Sequence, residues 1–155
     1  MKSDLNNLII DYFPSPNGDN EELLKLLNQT SKIICDWFSV SEKLSPLPQN
    51  KVKIISEPAE FGCDIKVLLD DINSLIYSSF NPSHPGSLAN LDPPPLTISI
   101  IGDLIAGALN NNLLAEELSP SISIIENDLC KWFANEVGFG NSSGGIAASG
   151  GTLNN

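Results

Sequence analysis

Ser149-Gly150-Gly151-Thr152, close to the end of the 155-residue chain, is the stretch best suited by residue type to hold an anion. Glycines let backbone N–H groups come near a ligand, and the serine and threonine add hydroxyl donors. A helix opening behind the turn would favour phosphate. No Gly-Lys-Ser/Thr follows, so this is not a Walker loop. Ser-Gly-Gly turns are common, and local composition alone favours a plain flexible tail over a phosphate site. The residues from Gly144 to Ala148 read as a short apolar strand leading into the turn. A turn of this kind ordinarily opens a helix. Here the sequence stops at Asn155 without one, which reads as a truncation at a site-forming loop.

The other chemistry-bearing residues read as structural. His84 lies between Pro82 and Pro85 with no Cys, Ser or carboxylate at a recognised spacing, so a loop histidine making a structural hydrogen bond is the expectation. Glu116 and Glu117 are adjacent and point different ways on a helix, which makes them solvated charges. Glu126 lies beside an apolar stripe and reads as a structural hydrogen-bonding carboxylate. Cys35, Cys63 and Cys130 are odd in number and far apart, form no CxxC pair, and share the chain with a single histidine. That argues against a zinc site. Cys35 and Cys130 fall in amphipathic patterns, where a buried free thiol is the usual explanation.

The elements that must position these groups are helical. Met1 to Tyr12 reads as a short amphipathic helix, broken by Pro14-Ser15-Pro16-Asn17-Gly18. Asp19 is expected to cap a second helix running to about Phe38, with Glu21 and Glu22 in its first turn. Its stripe is Leu23, Leu24, Leu27, Ile34, Trp37 and Phe38. Pro46, Pro48, Pro58 and Gly62 mark a linker that contains an extended Val52-Lys53-Ile54-Ile55. Asp64 is expected to cap a third helix to about Phe80, with Val67, Leu68, Asp71, Ile72, Leu75, Ile76 and Phe80 on its stripe. The prolines of Asp92-Pro93-Pro94-Pro95 make a rigid elbow. Thr97 to Asn111 reads as a strongly apolar helix. Ile98, Ile101, Leu104, Ile105, Ala108 and Leu109 can face a core, while Gly102, Ala106 and Gly107 permit close approach. Ser119-Pro120, a cap followed by proline at the first helical position, opens a last helix to about Val137. Its stripe is Ile122, Ile125, Leu129, Trp132, Phe133 and Val137, and Gly138 stops it.

The totals exclude some partners. Nineteen acids against eight bases give a formal charge of −11, which opposes binding to nucleic acid or to an anionic membrane. No apolar run reaches the length of a membrane span; Leu96 to Leu109 is interrupted by Ser99, Gly102 and Asp103. Free thiols and the lack of a signal peptide suggest the cytoplasm.

From His84 onward the motifs form a recognisable ordered set. They are His84-Pro85, Leu91-Asp92-Pro93-Pro94-Pro95, Gly102-Asp103-Leu104, Ala108-Leu109-Asn110, Glu117-Leu118-Ser119-Pro120, Glu126, Trp132-Phe133-Ala134, Gly138-Phe139 and Ser149-Gly150-Gly151-Thr152. Their order and gaps resemble the N-terminal part of the group II pyridoxal-phosphate decarboxylases of amino acids. The resemblance covers roughly residues 80 to 155. It implies a mainly α chain here: the N-terminal helical arm of an aspartate-aminotransferase-type fold over residues 1–80, then the incomplete start of the cofactor domain over 81–155. It also implies that Ser149, Gly150 and Gly151 hold the phosphate of pyridoxal 5′-phosphate, that Asn90, Leu91 and Pro93 line the substrate side, and that Asn112 to Leu114 approach a partner subunit's site. The family's helices pack across a two-fold dimer, so a homodimer or a complementing chain is the implied partner, with an amino acid as substrate.

The departures from the family pattern bear on activity. Its lysine that binds the cofactor covalently, its aspartate on the pyridine nitrogen and its ring-stacking histidine all lie downstream of this loop. No residue here takes those roles, so no catalytic residue is assigned, and Lys66 and Lys131 sit in helices with no reason to substitute. The expected activity is removal of an α-carboxyl as carbon dioxide, with this chain alone inactive. The alternatives are a helical dimerisation or interaction module, or a non-functional remnant whose apolar faces stay exposed.

Overall fold

A computed structural model describes residues 14–16, 18–45, 47–48, 60, 64–88, 93–140 and 142–154. The helix expected over residues 1–12, the extended segment at 52–55, Cys63, and the elbow residues Asn90 and Leu91 lie outside them. The described residues are mainly α: helices α1 (Glu21–Ser39), α2 (Ile65–Tyr77), α3 (Thr97–Leu109) and α4 (Pro120–Glu136), then a single helical turn, α5 (Gly151–Asn154). Two 3-10 turns, Ser41–Lys43 and Glu116–Leu118, accompany them, and there is no strand among the described residues. The chain divides into two compact units, Met1–Pro94 and Pro95–Asn155.

In the first unit α1 and α2 pack on each other. The covered residues of α1 are Leu26, Leu27, Thr30, Ile33, Ile34, Trp37 and Phe38, which recur at the three- and four-residue spacing of one helical face. Those of α2 include Ile65, Leu69, Ile72 and Ile76, again at helical spacing. The expected stripes hold at Leu27, Ile34, Trp37 and Phe38 of α1 and at Ile72 and Ile76 of α2, and fail elsewhere. Leu23 and Leu24 stay exposed on α1, and Val67, Leu68, Leu75 and Phe80 on or just after α2. The reason is that α2 is apolar on more than one side, and only the side carrying Ile65, Leu69, Ile72 and Ile76 is covered. Cys35 is exposed rather than buried, because it lies off the covered face of α1.

Local signals set most helix ends. Asp64 caps α2 as expected, its carboxylate accepting the Lys66 N–H at 2.7 Å. The residue before α1 is Asn20 and not Asp19. Asn20 adopts a left-handed φ of 54° and turns its side chain back to the Ser15 backbone. α4 opens with Pro120 at its first position. It closes in a Schellman motif: Gly138 has φ +86°, its N–H donates to the Asn135 carbonyl at 3.0 Å, and the Phe139 N–H donates to the Ala134 carbonyl at 2.9 Å.

The second unit covers little of its apolar surface. Only Ile100 of the 13 residues in α3 is half-covered, and Ile98 is 73 % exposed. The core-facing role expected for Ile98, Ile101, Leu104, Ile105, Ala108 and Leu109 is not met within these residues, and no neighbouring atom lies within 4 Å of the Cβ position of Gly102 or Gly107. On α4 the covered positions are Ile122, Ser123, Glu126, Cys130 and Ala134, the last 7 % exposed. Of the expected stripe only Ile122 is covered. Ile125, Leu129, Trp132, Phe133 and Val137 are exposed, with the Trp132 and Phe133 rings edge to face at 4.8 Å.

Candidate functional site

The segment after α4 explains why that helix covers its polar side. Gly140, at φ +80°, accepts the Ser143 N–H at 3.2 Å and so turns the chain back along α4. From Ser143 to Ala148 the chain runs without regular structure, so the expected strand over Gly144 to Ala148 does not form. Among the described residues it has no neighbouring strand, and one of its backbone N–H groups goes to a side chain instead. The Ala147 N–H donates to Glu126 Oε1 at 2.9 Å. Two residues earlier the backbone lies against Cys130, where a Cβ on Gly145 would come 3.1 Å from the Cys130 Cβ. Glu126 and Cys130 are four residues apart and share a helix face. Glu126 is thus the structural hydrogen-bonding carboxylate expected from its position, and Cys130 is a half-buried free thiol.

Beyond this strap comes Ser149-Gly150-Gly151-Thr152. Gly150 has φ +82°, a conformation in which a Cβ is strained, so glycine is required there by geometry. Gly151 begins α5. The expectation that no helix follows the turn is therefore corrected: the Gly150 reversal lets Gly151 to Asn154 take helical angles at once. Ser149, Gly151 and Thr152 are exposed, and no heavy atom lies within 4 Å of a Cβ position on Gly150 or Gly151.

Backbone of this kind can face an anion. A left-handed glycine followed by a helix start presents successive N–H groups, and those of a first helical turn have no partner within the helix. From Pro95 to Asn155 the sole cation is Lys131, against Asp103, Glu116, Glu117, Glu126, Asp128 and Glu136. Within this unit an anion at the loop would rest chiefly on backbone dipoles and hydroxyls.

The remaining sequence candidates belong to other elements. Pro93 is described and exposed. Asn112 to Leu114 form a loop in which the Leu114 N–H donates to Asn112 Oδ1 at 3.1 Å, with Leu114 94 % exposed. Glu116 and Glu117 are exposed in their 3-10 turn. His84 has the structural role expected of it. Its Nδ1 accepts the Gly86 N–H at 2.8 Å, so the proton belongs on Nε2, which donates to the Leu44 carbonyl at 3.1 Å. Next to it Asn81, 4 % exposed, donates to the Trp37 carbonyl and accepts the Ser83 N–H. Together they tie the loop after α2 to the end of α1. A cleft of about 460 Å³ beside them is lined by Trp37, Leu44, Tyr77, Asn81 and other residues, without a carboxylate, imidazole or thiol.

Sequence reasoning missed the contact between Gly145 and Cys130. Two adjacent small residues, Gly144-Gly145, one helix-length after a small residue on α4, were the available signal.

No family model matches the chain. Over 133 residues, 83 % of its length, the chain is 27 % identical to an L-2,4-diaminobutyrate decarboxylase of Acinetobacter baumannii, and it spans 26 % of the length of that relative. This similarity supports a relationship between the chain and the pyridoxal-phosphate decarboxylases that its motifs from His84 to Thr152 resemble.

Proposed function

We propose that these residues form the N-terminal part of a pyridoxal-phosphate-dependent L-amino acid decarboxylase, a carboxy-lyase that removes the α-carboxyl as carbon dioxide. The observation that carries the reading is the similarity to a decarboxylase over 83 % of the chain, joined to the ordered motifs that end in Ser149-Gly150-Gly151-Thr152. In this reading the Ser149 hydroxyl and the N–H groups of Gly150 and Gly151 hold the cofactor phosphate, and Asn90, Leu91 and Pro93 border the substrate. When bound, pyridoxal phosphate accepts the electron pair left behind as carbon dioxide departs. The protein's part at this loop is to bind and orient. Positive-φ Gly150 and the start of α5 set the direction of the donors, which then need no reorganisation as the anion arrives.

The lysine that would hold the cofactor covalently is not one of the eight in this chain, so these residues alone supply part of a site and do not decarboxylate. Completion needs a further stretch of polypeptide that carries the lysine, which a second copy of these residues does not supply. The free thiols Cys35 and Cys130 suit the cytoplasm.

Equilibrium dialysis with pyridoxine 5′-phosphate, which has no aldehyde to react with lysines, tests the loop. A dipole-only site predicts a Kd on the order of 1 mM, about −4 kcal/mol. Gly150→Val should weaken it about tenfold, and unphosphorylated pyridoxine should not bind. Equal binding by wild type and variant, or a lysine-adduct absorbance band with pyridoxal phosphate that resists dialysis, would overturn the proposal.

A second reading, a helical interaction module, is favoured by the exposed apolar residues of α3 and α4, from Ile98 to Trp132. Sedimentation separates the two readings. A module of this kind self-associates or captures a partner through α3 without any response to pyridoxine phosphate.

A further inference from the structure

The strap before the phosphate loop is held at two points, and both lie on one face of α4. The Ala147 N–H donates to Glu126 Oε1 at 2.9 Å, and the Gly145 backbone is seated against Cys130. Glu126 and Cys130 are spaced by one helical turn, and Gly145 and Ala147 are two residues apart in the strap, so the two contacts hold the strap along α4. Ala134, the next residue on the same face, is the buried apolar residue of α4. A carboxylate on the covered side of a helix, where an apolar residue would serve packing better, is explained by the N–H it accepts. A segment without regular structure must still place its backbone polar groups somewhere.

We propose that Glu126 is the positioning residue of the Ser149-Gly150-Gly151 loop. By accepting the Ala147 N–H it fixes the chain two residues before Ser149, and so sets where the left-handed Gly150 and the first N–H groups of α5 stand. Gly145 is part of the same device, because a side chain there would meet Cys130 and lift the strap. The nature of the anion rests on the decarboxylase reading, whereas the clamp rests on the geometry of α4 and the strap alone.

The test uses the full chain and two variants, Glu126→Ala and Glu126→Gln, with three readouts. Amide hydrogen exchange at Ala147 and alkylation of Cys130, followed by mass spectrometry of the peptide that carries it, report the clamp. Dialysis with pyridoxine 5′-phosphate reports the loop. Glu126→Ala should raise Ala147 exchange and Cys130 alkylation at least about tenfold and weaken pyridoxine phosphate binding about fivefold. Glu126→Gln keeps an acceptor oxygen at the same reach and should restore all three toward wild type. A purely packing role for Glu126 would raise exchange along α4 as a whole in Glu126→Ala and not selectively at the Ala147 amide.

Unchanged exchange and alkylation in Glu126→Ala overturn the clamp. Raised exchange with unchanged binding overturns the positioning role. If the wild type shows the clamp but binds no pyridoxine phosphate, the decarboxylase reading of the loop fails, and the anion role of Glu126 fails with it.

Discussion

The unit built on α1 and α2 and the unit built on α3 and α4 use opposite sides of their helices. In the first, apolar faces meet: Ile33, Ile34 and Trp37 lie on the covered face of α1, and Leu69, Ile72 and Ile76 on that of α2. In the second, the best-covered face of α4 carries a carboxylate and a thiol, while Ile125, Leu129 and Trp132 remain exposed. The lesson is that an apolar stripe marks a surface suited to burial and does not say what buries it. The first unit satisfies its stripe with its own neighbour in the chain. The second covers the side where a backbone N–H needs an acceptor and leaves its stripe free.

This contrast can be broken by substitution. The largest effect is expected at Asn81, whose buried amide serves the Trp37 carbonyl and the Ser83 N–H. Asn81→Ala should cost about 2 kcal/mol by leaving both without a partner, read as a lower thermal midpoint by circular dichroism. Next comes a matched pair. Ile72→Ala on the covered face of α2 should cost about 1.5 kcal/mol, below the range for fully buried isoleucine because Ile72 is half-covered. Leu129→Ala on the exposed stripe of α4 should change stability by less than about 0.5 kcal/mol while reducing any self-association seen by sedimentation. Equal destabilisation by the two would erase the distinction between the units.

A smaller effect sharpens the account of α4. Gly138→Ala forces a Cβ into the left-handed closure of the helix and should cost about 1 kcal/mol. An unchanged midpoint would mean that the Schellman turn does not define the end of α4.

The smallest effect belongs to the exposed surface of α1. Lys32 has its pKa raised above the ordinary 10.5, first by its hydrogen bond to Asp36 and then by the charge of that carboxylate. A raised pKa means that the ion pair contributes below the unfolded value and that the contribution disappears as pH climbs through the folded one. Because Lys32 is fully exposed, Lys32→Ala should leave the neutral-pH midpoint unchanged within error. A midpoint difference between wild type and variant that vanishes above pH 10.5 would show the pair to matter more than exposure allows.

The four long helices were legible in the sequence because their ends carry local signals: Asp64 before α2, the prolines before α3, Ser119-Pro120 before α4 and Gly138 after it. The role of His84 was legible for a similar reason, since prolines on both sides leave a loop histidine little but hydrogen bonding to do. The covered faces were less legible. Periodicity ranks positions by hydrophobicity, and α2 and α4 offer more than one apolar side; the choice between them is made by a partner distant in sequence. Ile65 and Leu69 were missed in that way, and Cys35 was placed inside for the same reason. The strand expected over Gly144 to Ala148 failed because apolar character alone supplies no strand to pair with. At the candidate site, the composition of Ser149 to Thr152 announced an anion turn, but the helical start at Gly151 depends on the left-handed φ of Gly150, which composition permits and does not dictate.

The two anchor points on α4 also have a meaning for reach. Between the reversal at Gly138 and Gly150 the chain is about twelve residues long. As a free tether it would let the loop wander over a root-mean-square distance of about 19 Å. Fastened at Ala147, the segment before the loop loses most of that freedom. A loop held in this way is kept at a high effective concentration beside α4. A ligand or subunit arriving there would meet its donors already gathered, with most of the entropy of collecting them lost when the chain folded.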